Sequence, residues 1–259
     1  MTEPSRASSP AVALEIAVTS LAGAVVARDE GADRVELCSA LELGGVTPSQ
    51  GLVELVVATG LPVHALVRCR PGDFVFDADD TAVMLREVRT LVAAGVAGVV
   101  VGALRADGSL DEEAVRRSRE AAGPDVELTV HRAVDRSRDP VASVAALAAL
   151  GVDRVLTSGG ASRAADGLAS GALAAMVREA GGVQVMAGGG VRVGDVPALV
   201  AASVSAVHLS AGRAVGDPGA EGDLVSLGSA GGGDVRSVTD ASLVRAVRRQ
   251  LDDAAARRG

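Results

Sequence analysis

Lysine is absent from this 259-residue chain, and all 25 of its basic residues are arginine. Schiff-base chemistry, on a carbonyl substrate or on pyridoxal phosphate, requires the amine of a lysine side chain. The absence of lysine therefore excludes lysine-dependent aldolase mechanisms and a Schiff base to pyridoxal phosphate. Any chemistry at a carbonyl group must use other side chains.

Aromatic residues are scarce, at 1% of the chain, and acidic residues outnumber basic ones, which gives a formal net charge of -8. Proteins that bind nucleic acid or anionic membranes usually carry a basic surface, often interleaved with aromatic residues. The most apolar stretch, residues 91–104, contains three glycines. It is also shorter than the roughly 18 residues that a membrane span needs. We therefore expect neither nucleic acid nor a membrane as a partner.

The sequence has two cysteines, Cys38 and Cys69, which do not form a Cys-x-x-Cys pair. So few thiols fit a reducing compartment better than a disulfide framework. The first residues are polar and lack the basic start and apolar run of a signal peptide. We therefore expect a cytoplasmic protein whose residues 1–11 form a disordered tail.

A strand-and-helix pattern repeats along the rest of the chain. Residues 12–18 alternate polar and apolar side chains and precede an apolar, helix-like run, and seven further segments repeat this order. The repeats are roughly 22 to 35 residues long, which is typical of parallel strands joined by crossover helices. The other predicted strands lie at 35–38, 63–68, 98–101, 127–131, 154–158, 183–186 and 206–210.

Eight repeats in about 250 residues are typical of an α/β fold, the single-domain (β/α)8 TIM barrel. A doubly wound open sheet is the alternative, but its strands are buried on both faces and nearly all apolar. Seven of these eight strands carry polar residues on one face, which favours the barrel. The prediction is a barrel over residues 12–259, with a Gly-rich loop at 212–233 before the last helix.

Polar side chains share the inward parity near the strand ends, where such barrels hold their active sites. Burying ionisable groups is costly unless they pair or bind a ligand. One alternative is purely structural, with Glu36 and Arg68, or Glu15 and Arg34, forming buried ion pairs. The inward set comprises Cys38, Arg68, His131, Ser158 and Ser210 at the ends, with Glu15, Glu36, His64, Glu127 and His208 deeper or beside them.

Three groups of residues predict chemistry at the barrel mouth. Glu36 and His131, the latter beside Asp135, form the predicted catalytic set, because carboxylates and imidazoles exchange protons. Arg68 and Arg70 are the predicted anion clamp. The loop with Gly188, Gly189 and Gly190, with Ser210 after the next strand, is a predicted phosphate cradle, although these glycines also suit a tight turn. The predicted substrate-binding set also includes Glu15, His64, Arg132, Ser158 and His208.

A metal site has weaker support from the residue pattern. Cu(I) prefers thiolates and thioethers, and Cys38 and Cys69 lie at neighbouring strand ends with opposite parity. Cys38 also suits the role of a small buried apolar residue. No His-Glu-x-x-His motif is present.

Several motifs together resemble the CutC copper-homeostasis family. They are VELCSAL at 35–41, GGVTPS at 44–49, VRCRPGDF at 67–74, HRAVD at 131–135, DRVLTSG at 153–159 and AGGG at 187–190. The resemblance runs from about residue 14 through the last helix. It implies a (β/α)8 barrel that forms a homodimer or higher oligomer, lies in the cytosol and binds copper.

The resemblance also implies site residues. Cys38 falls on the family's cysteine and is the implied copper ligand, with His131 or His64 as partners. Cys69 stands where the family usually has proline. Further family motif positions are occupied by Glu36, Arg68, Arg70, Asp73, His131, Arg132 and Asp135, and Asp73 joins the expected substrate-binding residues on this ground.

Two functions of different classes follow. The first is copper binding in copper homeostasis. The second is an isomerase or lyase type of enzyme that performs acid–base chemistry on a small anionic or phosphorylated metabolite. A barrel kept only as an interaction scaffold is a third possibility, but it gives the inward acids no use.

Overall fold

Eight parallel strands close into a barrel in the computed structural model, which describes residues 12–216 and 235–257. Each strand pairs with the next one along the chain, and the eighth returns to pair with the first. The predicted (β/α)8 barrel is therefore confirmed. The barrel strands are Ala13–Val18 (β1), Arg34–Leu37 (β2), Val63–Leu66 (β3), Gly98–Val101 (β4), Glu127–Val130 (β5), Arg154–Thr157 (β6), Gln184–Ala187 (β7) and Ala206–Leu209 (β8).

Helices surround the barrel, and most of them begin at a polar capping residue. The side chains of Ser20, Asp77 and Asp240 accept hydrogen bonds from backbone N–H groups in the first turn, which otherwise lack partners. The helices are Leu21–Asp29 (α1), Gln50–Val57 (α2), Ala78–Ala93 (α3), Glu112–Ala122 (α4), Pro140–Ala146 (α5), Ala164–Ala169 (α6), Ala172–Glu179 (α7), Val196–Ala201 (α8) and Ala241–Ala256 (α9).

The apolar core lies between the barrel and its helices. Alternate strand residues such as Ile16, Val35 and Leu128 point outward and are fully buried against helical residues such as Val53 and Leu173. Because strand side chains alternate, the residues between them point into the barrel. This alternation places the polar residues of β1, β2, β3, β5, β6 and β8 inside the barrel.

A two-stranded antiparallel sheet follows the barrel strands. Gly212–Gly216 (β9) pairs with Val235–Thr239 (β10), which leads into α9. The prediction of a loop from residue 212 is therefore wrong for residues 212–216. Residues 217–233 of that predicted loop and the predicted tail at 1–11 lie outside the described residues. Within the described ranges, no helix combines the length and apolar character needed to cross a membrane.

Candidate active site

A cavity of about 700 Å³ opens at the carboxyl ends of the barrel strands. Its walls come from the strand ends and from the loops that follow β2, β3, β5, β7 and β8. The predicted site residues in its lining are Glu36, Arg68, His131, Arg132, Gly189, Gly190, His208 and Ser210. The structure therefore brings together residues from distant parts of the chain.

Glu36 is the acid of this cavity. Its carboxyl group is buried and receives no hydrogen bond from any residue that the structure describes. Burial raises the pKa of Glu36 to about 7, although His208 opposes this rise. A carboxyl group with this pKa exchanges protons readily near neutral pH.

His208 lies beside Glu36 and is anchored by a deeper carboxylate. Its Nδ1 is 2.8 Å from Oε1 of Glu15, and its Nε2 is 3.7 Å from Oε2 of Glu36. Burial lowers the pKa of His208, but the Glu36 and Glu15 carboxylates outweigh burial and raise it overall. The imidazole therefore contacts one carboxylate on each side.

Glu15 forms the buried ion pair with Arg34 that the sequence allows. Nε of Arg34 lies 2.5 Å from Oε2 of Glu15, which is fully buried. Burial favours the neutral acid, yet His208 and Arg34 hold the pKa of Glu15 well below its usual range. Glu15 does not line the cavity, so it acts on the site through His208.

Arg68 does not form the alternative ion pair with Glu36. Its guanidinium donates instead to the carbonyl oxygens of Leu43, Gly45 and Gly72 at 3.2, 2.9 and 2.9 Å. These bonds use both terminal nitrogens and leave the buried Nε–H of Arg68 without a partner among the described residues. The side chain is therefore fixed in place with its buried Nε–H unused.

His131 carries a second unused donor. Its Nδ1 accepts a hydrogen bond from the Ala133 amide at 3.2 Å, so the proton of the neutral ring is on Nε2. That Nε2 is buried and has no partner in the described ranges. Burial lowers the pKa of His131 to about 4, and the Arg68 guanidinium adds to this effect. His131 is therefore a neutral hydrogen-bond donor near pH 7.

The Phe74 ring contacts both side chains that carry the unused donors. The guanidinium of Arg68 lies 5.1 Å from the centre of the Phe74 ring, and the His131 ring centre lies 4.9 Å from it. Sequence reasoning did not select Phe74 as a site residue. Its rarity was the available signal, because the chain has just two phenylalanines and no other Phe, Tyr or Trp.

Arg132 is held at the cavity by Asp135 and Ser158. Nε of Arg132 donates to Asp135 at 2.8 Å, and Nη2 donates to Oγ of Ser158 at 2.8 Å. The Asp135 carboxylate also accepts from Thr157 and from the Ser158 amide. Neither Asp135 nor Ser158 lines the cavity, so the structure places both where they orient Arg132.

Gly189 permits this placement of Arg132. Gly189 has a φ of 100°, and a Cβ atom built on it would lie 2.7 Å from Cζ of Arg132. A side chain at this position would therefore strain the backbone and displace the guanidinium. The Gly189 and Gly190 loop and the flat face of Arg132 together form one wall of the cavity.

Arg70 and Asp73 lie away from the cavity. Arg70 donates to Asp80 at 2.8 Å and to Asp73 at 3.3 Å, and it is half-exposed. The structure therefore does not assemble the predicted clamp of Arg68 and Arg70. Arg132 is the second guanidinium that lines the cavity with Arg68.

His64 belongs to a polar cluster at the opposite end of the barrel interior. Its Nε2 lies 3.3 Å from Glu127, and its Nδ1 lies 3.3 Å from Nη1 of Arg154. Arg154 also contacts Glu127 at 2.9 Å and Gln184 at 2.9 Å. Burial lowers the pKa of His64 to about 4, although Glu15 opposes this change. His64 does not line the cavity.

Glycines make room for these histidines inside the barrel. A Cβ atom built on Gly102 would lie 2.6 Å from the His131 ring, and one built on Gly98 would lie 2.9 Å from His64. Gly98 in β4 and Gly102 directly after it therefore leave space inside the barrel for the two imidazole rings. A Cβ atom built on Gly188 would lie 3.2 Å from the His208 side chain, and Gly188 does not line the cavity.

The thiols do not fit a resident Cu(I) ion. Cys38 is fully buried with Leu66 and Val100, and burial raises the pKa of its thiol far above the usual range. Cys69 donates to Asp80 at 3.4 Å, and burial with this contact raises its pKa to about 11. Thiolates are the form that binds copper. The described residues contain no cluster of three or more His, Cys, Asp or Glu side chains able to hold a metal ion.

Comparison with known proteins identifies the family. The sequence profile described as the CutC family matches residues 12–213. The chain belongs to the CutC family. A CutC family protein of Agrobacterium fabrum is 41% identical over 238 residues, which cover 91% of this chain and 92% of that protein. A CutC family protein of Xanthomonas campestris pv. campestris is 45% identical over 72% of this chain and 77% of its own length.

A solved CutC structure supports both the family and the fold. The protein is from Streptococcus agalactiae and carries the name copper homeostasis protein CutC. It superposes with a TM-score of 0.71 at 26% identity, covering 77% of this chain and 98% of that chain. The CutC barrel is therefore the scaffold on which the cavity is built.

Proposed function

We propose that this CutC family member is an acid–base enzyme, of isomerase or lyase type, that acts on a small anionic metabolite at the barrel mouth. One observation carries the proposal. Two buried N–H groups, on Arg68 and His131, have no partner among the described residues, and both side chains line the cavity that contains Glu36.

Unused buried donors favour a ligand with oxygen acceptors. A buried donor without a partner costs roughly 1 to 3 kcal/mol, and a ligand oxygen that accepts from it recovers this free energy. The guanidinium of Arg68 and the imidazole of His131 both adjoin the Phe74 ring. A carboxylate, phosphate or carbonyl oxygen near that ring is the matching chemistry.

Glu36 supplies the proton transfer in this proposal. Its pKa of about 7 allows it to take a proton from a ligand and to return one at neutral pH. The neutral His131 ring donates a hydrogen bond to an oxygen that gains negative charge during the reaction. This role differs from the predicted one, in which His131 exchanges protons with Glu36.

Arg132 and the glycine loop after β7 supply a place for a second anionic group. Arg132 is fixed by Asp135 and Ser158 and lies against Gly189. Its guanidinium and the adjoining glycine loop suit a carboxylate or a phosphate. The proposed ligand is therefore a small oxygen-rich anion rather than an apolar molecule.

A binding experiment tests the ligand part. Protein labelled with 15N-histidine is titrated with inorganic phosphate and with oxalate, and the His131 imidazole signals are followed by NMR. We expect saturable shifts in the wild type and in Arg70→Lys, whose side chain lies outside the cavity, and weak shifts in Arg68→Lys. Equal behaviour of the two lysine variants, or no shift in the wild type, contradicts the proposal.

Copper handling is the second candidate function, and the name of the Streptococcus agalactiae relative and the family cysteine Cys38 favour it. Because the pKa values of both thiols are raised and Cys38 is fully buried, we expect weak Cu(I) binding under reducing conditions. We also expect Cys38→Ser to leave that binding unchanged. The measurement is Cu(I) affinity and metal content of both proteins. Tight one-to-one binding that is lost in Cys38→Ser establishes copper binding instead.

A further inference from the structure

His208 lies between two carboxylates inside the barrel, and each ring nitrogen has its own partner. Nδ1 is 2.8 Å from Glu15, and Nε2 is 3.7 Å from Glu36. The three residues come from β8, β1 and β2, which are adjacent because the barrel closes between β8 and β1. The arrangement is therefore part of the barrel itself and not of a loop.

Glu15 is suited to hold the ring and unsuited to touch a ligand. It is fully buried below the cavity and accepts from Nε of Arg34 at 2.5 Å. An ionised carboxylate next to a histidine accepts the proton of the nearer ring nitrogen and thereby fixes the tautomer. Glu15 thus keeps the proton on Nδ1 and leaves Nε2 for exchange.

The other groups around the ring do not compete for Nε2. Arg34, on β2, is bound to Glu15, and His64, on β3, has its Nδ1 3.9 Å from Glu15. On the β7 side the ring adjoins Gly188, which carries no charge. Of the charged groups that the structure describes here, Glu36 is the one paired with Nε2.

We propose that one catalytic proton moves between Glu36 and Nε2 of His208, and that Glu15 is the positioning residue that keeps Nε2 available for this exchange. The inference deepens the proposed function and rests on it. It assigns His208 as the second catalytic group and enolisation of a carbonyl compound as the reaction step.

The step conserves protons and electrons without a further reactant. Glu36 begins as a carboxylate and Nε2 of His208 begins protonated. Glu36 takes a proton from the carbon next to a carbonyl group, and the electron pair of that carbon–hydrogen bond forms the carbon–carbon double bond. The carbonyl π pair takes the Nε2 proton, which gives an enol. Transfer of the proton from Glu36 to Nε2 then restores the starting pair.

NMR of the full chain labelled with 15N-histidine tests this inference, because the chain has just three histidines to assign. In the wild type we expect Nδ1 of His208 to stay protonated from pH 5 to pH 9 while Nε2 titrates. In Glu36→Gln we expect the Nε2 midpoint to fall by about 1 to 3 pH units, because a nearby anion is lost. In Glu15→Gln we expect a mixture of both tautomers.

Glu127→Gln is the matched control, because Glu127 contacts His64 and not His208. We expect it to leave the His208 signals unchanged. A neutral His208 with its proton on Nε2, or an unchanged midpoint in Glu36→Gln, overturns the inference. The tautomer of His208 in the wild type and the Nε2 midpoint in Glu36→Gln test the inference even if Glu15→Gln does not fold.

The outcome is separable from that of the proposed function, whose readout is the response of His131 to phosphate and oxalate. If His131 does not respond while His208 behaves as expected, the ligand proposal fails and the proton-exchange inference stands. If His131 responds to the anions while His208 does not behave as expected, the proton-exchange inference fails and the ligand proposal stands.

Discussion

Glu36 is the residue on which the acid–base proposal depends most. A carboxyl group with a raised pKa stays protonated in the folded chain at pH values where it ionises in the unfolded chain. Its ordinary pKa is 4.5 and its folded value is about 7. The stabilising contribution of this proton is therefore present below pH 4.5 and is lost as the pH rises through about 7.

The substitution Glu36→Gln removes this pH dependence. At pH 8 we expect the variant to be more stable than the wild type by up to about 3 kcal/mol, because each pKa unit corresponds to about 1.36 kcal/mol. At pH 4.5 this advantage should disappear. Urea unfolding at both pH values measures it. If the stability gain of Glu36→Gln over the wild type is largest at pH 4.5, the assignment of a raised pKa to Glu36 is contradicted.

Gly189 gives a second test at the residue scale. Gly189→Ala places a Cβ atom against Arg132 and strains a backbone with φ of 100°. We expect a loss of about 1 to 3 kcal/mol in stability and weaker phosphate binding. Gly194→Ala is the control, because Gly194 also lines the cavity and its Cβ would meet no atom within 4 Å. Equal effects of the two changes contradict the role of Gly189.

At the scale of the elements, the strands β1 and β2 are joined by a buried ion pair. Arg34 and Glu15 have side-chain exposures of 10% and 0%, whereas Arg245 of α9 is 51% exposed in its pair with Glu30. Removing one partner of a buried pair leaves an uncompensated charge. Solvent screens the exposed pair and makes its loss easier to tolerate.

The paired variants Arg34→Gln and Arg245→Gln measure this difference. We expect Arg34→Gln to lose about 3 kcal/mol or more of unfolding free energy, because Glu15 then lacks its guanidinium partner. We expect a much smaller loss in Arg245→Gln. Chemical denaturation at pH 7 provides the comparison. Similar losses of unfolding free energy in both variants contradict the expectation that the buried Arg34–Glu15 pair contributes more to stability than the exposed pair.

The sequence predicts the strands well and the segment after β8 poorly. Alternating polar and apolar residues place β5 at 127–131, and the strand is Glu127–Val130. Such alternation is local, so a short window reveals it. The pairing of Gly212 with Thr239 joins residues far apart in the chain, and glycine carries no side-chain pattern. The strand β9 was therefore missed.

At the scale of the whole molecule, strand parity predicts which residues share the barrel interior. Of the residues that this rule places at the strand ends, Arg68, His131 and Ser210 line the cavity, whereas Cys38 and Ser158 do not. Glu36 and His208, which the rule places deeper or beside them, line it as well. Arg70 and Asp135 follow strand ends within loops, where parity no longer sets the direction of a side chain. Their positions depend on Asp80 and Arg132, which sequence spacing does not reveal.

The assembly and location of the molecule stay predictions. A homodimer or higher homo-oligomer and a cytoplasmic location are expected from the family resemblance and the cysteine content. Within the described residues, the cavity lining comes from the ends of β1, β2, β3, β6 and β8, from the loops after β2, β3, β5, β7 and β8, and from α9. The groups named in the proposed chemistry, Glu36, His131 and His208, all belong to one chain.

Proton exchange in heavy water is the measurement that tests the central claim most directly. The protein is incubated in D2O with a panel of small 2-oxo acids, 2-hydroxy acids and sugar phosphates, and 1H NMR follows the proton on the carbon next to the carbonyl or hydroxyl group. We predict that the wild type exchanges this proton in at least one compound and that Glu36→Gln does not. Equal exchange by both proteins, or none with the entire panel, contradicts acid–base catalysis at the barrel mouth.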